Sequence, residues 1–288
     1  MVVCDEHHDA ELFWALRGAG GGFGVVTSLV FRAVPAPAVT VFHLTWPSAA
    51  AAAVLRAWQA WAPDGPDELD ATLRLTAAGD GDRPPGVDVV GSVLDGDRVG
   101  VDPVTASRRH LPHRAAKRYL EGLGSVEDPR ERSGPEQPPQ PGHLYTKSEF
   151  FRRPLPGDTV NALVEHLTQE LVPEQSREVS FFPWGGAYNR VRTDATAFVH
   201  RGESFLVQHL VVIGADAAPA KRAAARDWLA RSWALVHPWG SGGVYPNFPD
   251  PDLTDWARAY HGTNYDRLRR VKAAYDPAGI FRYHQSIP

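Results

Sequence analysis

Cysteine and methionine are scarce in this sequence of 288 residues, which contains one of each. The single cysteine, Cys4, excludes an internal disulfide and a thiolate metal site, so nothing indicates an oxidising compartment or zinc-ribbon chemistry. An excess of positive charge is also absent, because 30 basic and 34 acidic side chains leave a formal charge of −4. No segment gathers enough arginine or lysine to track a phosphate backbone, which argues against nucleic acid as a partner.

Two further patterns are missing. The first residues carry a short apolar run followed by acidic residues, without the basic, apolar and small-residue succession of a signal peptide, so we expect a cytoplasmic protein. The histidine groups His7-His8 and His110/His113 lack the spacing and the carboxylates of a metal site, so we predict no metal. With 43% hydrophobic and 22% charged residues, the composition is typical of a soluble globular protein and not of a membrane-spanning one.

Apolar patterns predict strands and helices that do not alternate strictly. The runs 39–46, 69–77 and 87–94 have the β-branched or alternating character of half-buried strands. An alanine-rich helix ends at Trp61, with Ser48 as its expected N-cap. This order predicts an α+β fold class, a large antiparallel sheet covered by helices on one face. Further predicted elements are strands 23–34, 178–182, 195–201 and 205–213, helices 158–171, 217–236, 252–260 and 264–275, and a proline-rich surface loop over 124–142.

A glycine-rich stretch, LFWALRGAGGGFGVVT, runs from Leu12 to Thr27. Glycine permits positive φ and close approach of the backbone to a ligand, and successive N–H groups in such a turn can hold a phosphate. The stretch does not fit the dinucleotide fingerprint, because a predicted strand follows it, nor the P-loop, because no Lys-Ser/Thr ends it. From the residues alone, a ligand-binding turn and a tight packing connection both remain open.

Two more blocks carry unusual patterns. WGGAYNRV at 184–191 is followed by TAFVHR at 196–201. Gln208 then stands among apolar residues of the strand 205–213, where a buried amide needs a partner; backbone and ligand both remain open. The C-terminal block, which ends at Ile287, contains YPNFPD, YHGTNYDRLRRVKAAYDP and FRYHQSI.

Together these blocks resemble the C-terminal part of the berberine bridge enzyme-like flavoprotein oxidases, in the vanillyl-alcohol oxidase/p-cresol methylhydroxylase superfamily. That family ends its cofactor domain with DLFWALRGGGGNFGVVT, carries GGA and TAFxHR, and closes with YxNYxD, YxGxNYxRLxxVKxxYDP and FxxxQxI. The resemblance covers nearly the whole chain and is thinnest over 99–142. It implies FAD as cofactor, a small-molecule substrate, hydride transfer to the flavin and reoxidation by dioxygen. Abundant alanine and scarce lysine suggest a bacterial genome, which favours a sugar or a secondary metabolite as substrate.

The resemblance also implies that most of the cofactor domain is missing. In the family an Arg-Ser-Gly-Gly-His segment holds the FAD diphosphate and often bonds the flavin, and a downstream cysteine often adds a second bond. Neither covalent attachment residue is found here, and Cys4 does not match. We expect 1–37 to be a remnant of the FAD-binding domain, 38–240 the substrate-binding domain, and 241–288 a segment that returns to the flavin site. A separately encoded FAD-binding half is the expected partner, without which this chain should bind FAD weakly or not at all.

Motif matches imply roles for individual residues. Tyr245 occupies the position of the catalytic tyrosine, which needs a donor or cation before it can act as a base; Tyr188, the substrate and the flavin edge are candidates. Gln208 falls where relatives place Glu or Gln towards the substrate, and a glutamine can only orient. Asn247 is expected to fix the backbone near the flavin, and His284 to approach the flavin ring. The expected cofactor-contacting turn comprises Gly20, Gly21, Gly22, Phe23, Gly24 and Val25.

Two residues depart from the family pattern. Gly22 replaces an asparagine, which weakens a flavin contact, and Phe248 replaces a tyrosine, which removes a hydroxyl. His200 is expected to be a core histidine and not a catalyst. Two alternatives to an active oxidase stay open, namely a fragment or subunit that needs a separate half, and a non-catalytic binding protein that kept the sheet.

Overall fold

The computed structural model describes residues 1–79, 84–94, 105–123 and 142–288; most of the predicted loop 124–142 therefore lies outside the described residues. Seven strands form one antiparallel sheet in the order β4-β1-β3-β2-β6-β7-β5, which confirms the predicted fold class. The strands are β1 Val39–Pro47, β2 Leu69–Ala78, β3 Gly86–Val93, β4 Thr105–Leu111, β5 His143–Phe151, β6 Gln175–Pro183 and β7 Phe205–Ile213. The helices are α1 Ala10–Ala19, α2 Ala51–Trp61, α3 His113–Gly122, α4 Gly157–Thr168, α5 Pro219–Val236, α6 Trp256–His261 and α7 Tyr265–Tyr275. None of these described helices is long and apolar enough to cross a bilayer.

The main core lies between one face of the sheet and helices α2, α4 and α5. At its centre the fully buried Trp58 of α2 donates from Nε1 to the carbonyl of Ala71 at 2.7 Å. Its ring meets those of Phe181 and Phe205 edge-on, at centroid distances of 5.8 and 5.9 Å. The buried indole N–H of Trp58 therefore has a hydrogen-bond acceptor, and the aromatic rings fill the space around it. Helix α3 packs on the opposite face, against Val41 of β1.

Strand β7 is buried along its whole length, which explains why its residues are apolar except for Gln208 and His209. Gln208 pairs directly with Ser148 of β5 and Ser180 of β6, so these three polar side chains share one face of the sheet. The next residue, His209, points to the other face, where its Nδ1 lies 2.8 Å from Oγ of Ser232 on α5. Gln208 therefore faces away from the helices that cover the main core.

A second core holds α1 against α7 and the C-terminal residues, away from the sheet. Leu12, Trp14 and Phe23 pack there with Leu268 and Ile287. The first and last parts of the described chain therefore form one packed unit beside the sheet.

The predicted strand 23–34 is wrong. Phe23 packs in the second core, but residues 24–34 have neither helix nor strand structure, because no segment of the described ranges forms a ladder with them. Their apolar side chains are largely exposed, with Val25 at 78%, Val30 at 98% and Phe31 at 77%. This stretch, residues 25–34, is called the exposed apolar segment below.

Two smaller predictions are also wrong. Residues 195–201 form no strand, because the side-chain amide of Asn264 donates to backbone carbonyls there, including that of Thr196 at 3.2 Å, and so satisfies a loop without a ladder. Ser48 does not cap α2, since the chain enters that helix through a 3₁₀ turn over Ser48–Ala50 and no side-chain cap forms. The remaining predicted helices and strands are present, with ends shifted by a few residues.

Candidate active site

A cavity of about 620 Å³ lies beside the second core, with walls from four segments that are far apart in the sequence. One wall is the turn after α1, another the loop between β6 and β7, a third the loop before α6, and the last the C-terminal segment. Its lining includes Arg17, Gly20, Gly21, Trp184, Tyr188, Phe198, Arg201, Tyr245, Asn247, Tyr260, His261, Tyr283 and Gln285.

Backbone hydrogen bonds to the end of β5 place Tyr245 at the cavity. The N–H of Ser241 donates to the carbonyl of Phe150 at 2.8 Å, and the N–H of Phe150 donates to the carbonyl of Gly243 at 2.9 Å. Two residues further on, the N–H of Phe248 donates to the carbonyl of Tyr245 at 2.9 Å, which closes a tight turn. The tyrosine is therefore held by the sheet and not by a free loop.

The phenol oxygen of Tyr245 accepts a hydrogen bond from Nδ2 of Asn247 at 2.8 Å. This hydrogen bond fixes the position of the phenol oxygen in the cavity. Tyr188, which the sequence offered as a donor, instead stacks on Trp184 with ring centroids 5.4 Å apart. The expected backbone role of Asn247 is therefore replaced by a direct contact with the proposed base.

Aromatic rings surround Tyr245 on several sides. Trp184 and Phe248 meet it edge-on at centroid distances of 5.2 Å, and Phe150 and Phe198 at 6.2 Å. Such rings reduce the water around the phenol and offer flat apolar faces to a ligand. This part of the cavity suits a planar or ring-shaped molecule.

The charged groups of the described cavity lining are arginines, without an aspartate or glutamate among them. Arg201 lies over the ring of Phe198, 4.9 Å from its centroid, and donates to Oγ1 of Thr196 at 3.0 Å. Burial lowers the pKa of Arg201 from its ordinary value. Arg17 stacks in the same way over Phe13 at 4.1 Å. In the described part of the chain, no cluster of three or more His, Cys, Asp or Glu side chains is placed to hold a metal ion.

The structure brings only some of the predicted cofactor residues to the cavity. Gly20 and Gly21 line it, whereas Gly22, Phe23, Gly24 and Val25 are not part of the lining. His284 is exposed and lies outside the lining; its neighbours Tyr283 and Gln285 line the cavity instead.

Gln208 is separated from the cavity. It lies on the sheet, outside the cavity lining, and its Nε2 donates to Oγ1 of Thr146 at 3.2 Å. The residue is 5% exposed, so the amide is engaged within the sheet surface. Phe150, whose ring centroid lies 6.2 Å from that of Tyr245, pairs with Leu206, two residues from Gln208 on the same face of the sheet, so the orienting role of Gln208 towards a substrate stays a prediction.

Sequence reasoning missed a group of cavity residues in the C-terminal segments. Burial lowers the pKa of His261 to about 4, so this histidine lines the cavity as a neutral ring at neutral pH. The hydroxyl of Tyr260 donates to Oε1 of Gln285 at 3.3 Å, and Nε2 of Gln285 donates to the carbonyl of Asp250 at 2.7 Å. The motifs YHGTNY and FRYHQSI contained these residues, but no local signal distinguishes them from structural ones.

Gly18 is required where α1 ends, and we expect Gly18→Ala to destabilise the chain. Its φ is +136°, and a Cβ there would lie 2.2 Å from the backbone nitrogen of Phe198. Backbone strain and overpacking each cost about 1–3 kcal/mol, so the free energy of unfolding should fall by about 2–6 kcal/mol in urea titrations. Gly20→Ala is the matched control, because a Cβ there meets nothing within 4 Å. Equal losses in both variants would contradict this explanation.

The antiparallel sheet, with an aromatic cavity that Gly20, Gly21 and Tyr245 line together, defines a domain shaped to hold a small planar molecule. Residues 244–288 match the family described as "Berberine and berberine like". The solved structure of a berberine bridge enzyme variant in complex with (S)-reticuline superposes with a TM-score of 0.81 at 23% identity, covering 100% of this chain and 63% of that one. This likeness confirms the fold.

Curated relatives cover the whole chain. An uncharacterized FAD-linked oxidoreductase, YgaK of Bacillus subtilis, is 32% identical over 296 residues, which are 100% of this chain and 60% of that protein. Reticuline oxidase of Eschscholzia californica is 27% identical over 96% of this chain and 56% of its own length, and chitooligosaccharide oxidase of Gibberella zeae is 26% identical over 100% and 60%. The chain is similar over its whole length to berberine bridge enzyme-like FAD-linked oxidoreductases, as the motifs predicted, and it spans about 60% of the length of the first of these relatives.

Proposed function

We propose that this chain is the substrate-binding part of an FAD-dependent oxidase that acts on a hydroxyl-bearing small molecule, such as a sugar or a secondary metabolite. Tyr245 is the proposed base, and the observation that carries the proposal is its hydrogen bond from Asn247 inside an aromatic cavity. In this scheme the phenolate of Tyr245 takes the hydroxyl proton of the substrate. Tyr188 and Trp184 offer their stacked faces to the substrate ring.

The residues present fit the ring end of a flavin. Gly20 and Gly21 leave room where any Cβ would point, and a planar group can approach their backbone. Arg17 and Arg201 bring positive charge, which favours an electron-rich ring system. When bound, FAD would supply the hydride acceptor and the route to dioxygen. The sequence lacks the family's diphosphate-holding and covalent attachment segments, so the chain is expected to need another source of those contacts.

We infer that this source is an FAD-binding half, corresponding to the part of the relatives that this chain does not cover, and that it packs on the exposed apolar segment. Its side chains, such as Val30 and Phe31, are more than three quarters exposed, and large exposed apolar patches mark interaction sites. The proposed division is 1–37 for the cofactor-domain remnant, 38–240 for the substrate domain and 241–288 for the returning segment. The packing of α1 on α7, away from the sheet, supports grouping the first and last of these segments together beside the substrate domain.

A reconstitution with FAD tests this proposal. We expect the chain alone to bind little FAD, and acid precipitation to release all of it, as measured by the visible absorption of the supernatant. Adding the part of the YgaK protein that this chain does not cover should produce a complex with a stoichiometric flavin band. A stoichiometric, acid-resistant flavin on the chain alone would refute the proposed division of labour.

Variants of the exposed apolar segment test the docking surface. Val30→Asp should weaken the complex by about tenfold or more, because a charge would be buried at the interface. Val3→Asp is the matched control, since Val3 is also exposed, at 78%, but lies outside the segment. Equal affinity for both variants in a titration followed by light scattering would exclude this surface.

A further inference from the structure

A buried lysine connects the glycine turn to the C-terminal segment. Lys272 of α7 is 3% exposed, and its ammonium donates three hydrogen bonds of 2.6 Å each. The acceptors are the carbonyl of Gly22, a carboxylate oxygen of Asp276 and the carbonyl of Phe281. All three ammonium protons are therefore used, and each acceptor belongs to a different stretch of chain.

Asp276 fixes the same region from the other side. Its two carboxylate oxygens accept the N–H of Ile280 at 2.8 Å and the N–H of Phe281 at 2.9 Å, besides the ammonium of Lys272. The hydrogen bond from Lys272 leads the causes that lower the pKa of Asp276 to about 2. The chain that leaves Phe281 enters the cavity wall at Tyr283. One buried ion pair thus reaches both the glycine turn and the C-terminal wall.

The same two helices also carry an exposed ion pair. Arg267 of α7 pairs with Glu11 of α1 at 2.5 Å, near the opposite ends of these helices from the glycine turn. An exposed pair of this kind adds little stability, whereas a buried ammonium is costly unless every donor is satisfied. The apolar packing of Leu12 and Trp14 against Leu268 already joins α1 to α7 without Lys272. Lys272 contacts the carbonyl of Gly22, which follows Gly20 and Gly21 of the cavity lining. This contact is what the buried position of Lys272 makes possible.

We propose that Lys272 is a positioning residue, which holds the turn Gly20–Gly22 against the C-terminal segment and so sets the shape of the cavity between them. This inference rests on the proposed function in one respect: the turn and the C-terminal segment are where that function places the flavin ring. Asp276 orients the ammonium, and Lys272 carries the contact to the turn.

Hydrogen exchange of the whole chain tests this role without cofactor. Lys272→Met keeps the aliphatic stem and removes the donors, so the amides around 20–23 and 281–287 should exchange about tenfold faster or more, while those of β6 and β7 stay protected. Asp276→Asn leaves the bond from Lys272 to Gly22 in place, so exchange at 281–287 should rise and exchange at 20–23 should change much less. Arg267→Met is the matched control and should leave both regions unchanged.

The outcomes separate positioning from general support. Equal acceleration at 20–23 in Lys272→Met and Asp276→Asn, or acceleration spread through β6 and β7, would overturn the inference. In the flavin-loaded complex, Lys272→Met should also shift the visible flavin absorption, whereas Arg267→Met should not. If the wild-type complex binds no flavin while the exchange pattern is as expected, the proposed function fails and the positioning role stands. If the wild-type complex binds flavin but Lys272→Met leaves exchange at 20–23 unchanged, the proposed function stands and the positioning role fails.

Discussion

Tyr245→Phe in the flavin-loaded complex lowers kcat/KM by about 10²–10⁴-fold, the range typical of a lost general base. The phenol oxygen is the atom that Asn247 stabilises, and phenylalanine keeps the ring contacts with Trp184 and Phe248. Substrate affinity should therefore change far less than turnover. Steady-state oxygen consumption, with flavin reduction followed in a stopped-flow instrument, measures both.

Two comparisons complete this experiment. Tyr188→Phe removes a hydroxyl from the same cavity without touching Asn247, so it should change kcat/KM by less than about tenfold. Asn247→Leu removes the donor to the phenol oxygen and should lower kcat/KM by about tenfold or more, because that oxygen is then no longer held in place. Full turnover by Tyr245→Phe would show that another group is the base and that Tyr245 has no catalytic role.

Acidification to pH 5 should destabilise the chain strongly, because three histidines are buried as neutral rings. Burial lowers the pKa of His200 and His261 to about 4 and that of His209 to about 3. In the unfolded chain their pKa is about 6.5, so unfolding takes up protons below that pH. Stability is complete above pH 6.5 and falls as the pH drops towards 4. Between pH 7 and 5 the loss is about 5 kcal/mol, a large part of a typical total of about 5–15 kcal/mol.

Urea titrations at pH 7, 6 and 5, followed by tryptophan fluorescence, measure this loss. His209→Gln removes one of the three titrating rings and should reduce the pH dependence by about a third, even if it lowers stability at pH 7. His7→Gln, on the exposed N-terminal segment, is the control and should leave the pH dependence unchanged. A pH dependence that is the same in His209→Gln and in the wild-type chain would contradict the assignment.

Local sequence patterns were enough to predict most strands of the sheet and the main helices that cover it. Strand 205–213 was predicted with its observed ends, because its residues are apolar except for Gln208 and His209, as a fully buried strand requires. The same reasoning failed for 23–34, whose β-branched residues have no pairing partner in the described ranges. It also failed for 195–201, where the side chain of Asn264, distant in sequence, replaces a neighbouring strand. The strand propensity of a segment depends on its own residues. Whether the segment forms a strand depends also on whether another part of the chain lies beside it as a pairing partner.

The candidate site was predictable only where a motif carried it. Tyr245, Asn247 and the glycine turn were found by resemblance, and the structure brings them to one cavity. The contact between Asn247 and the phenol was missed, because it depends on how a turn folds back over two residues. Arg17 and Arg201 were missed because each belongs to a different segment, and only the tertiary fold brings both to the same wall.

The packing of α1 on α7 has a consequence for synthesis on the ribosome. Glu11 and Arg267 are 256 residues apart, and Gly22 and Lys272 are 250 apart. At translation rates of about 5–20 residues per second, α1 emerges roughly 12–50 s before α7. The sheet and its helices can collapse in that interval, while α7, the helix on which α1 packs, is still missing. Nascent chains should therefore expose Leu12 and Trp14 to chaperones until α7 leaves the exit tunnel.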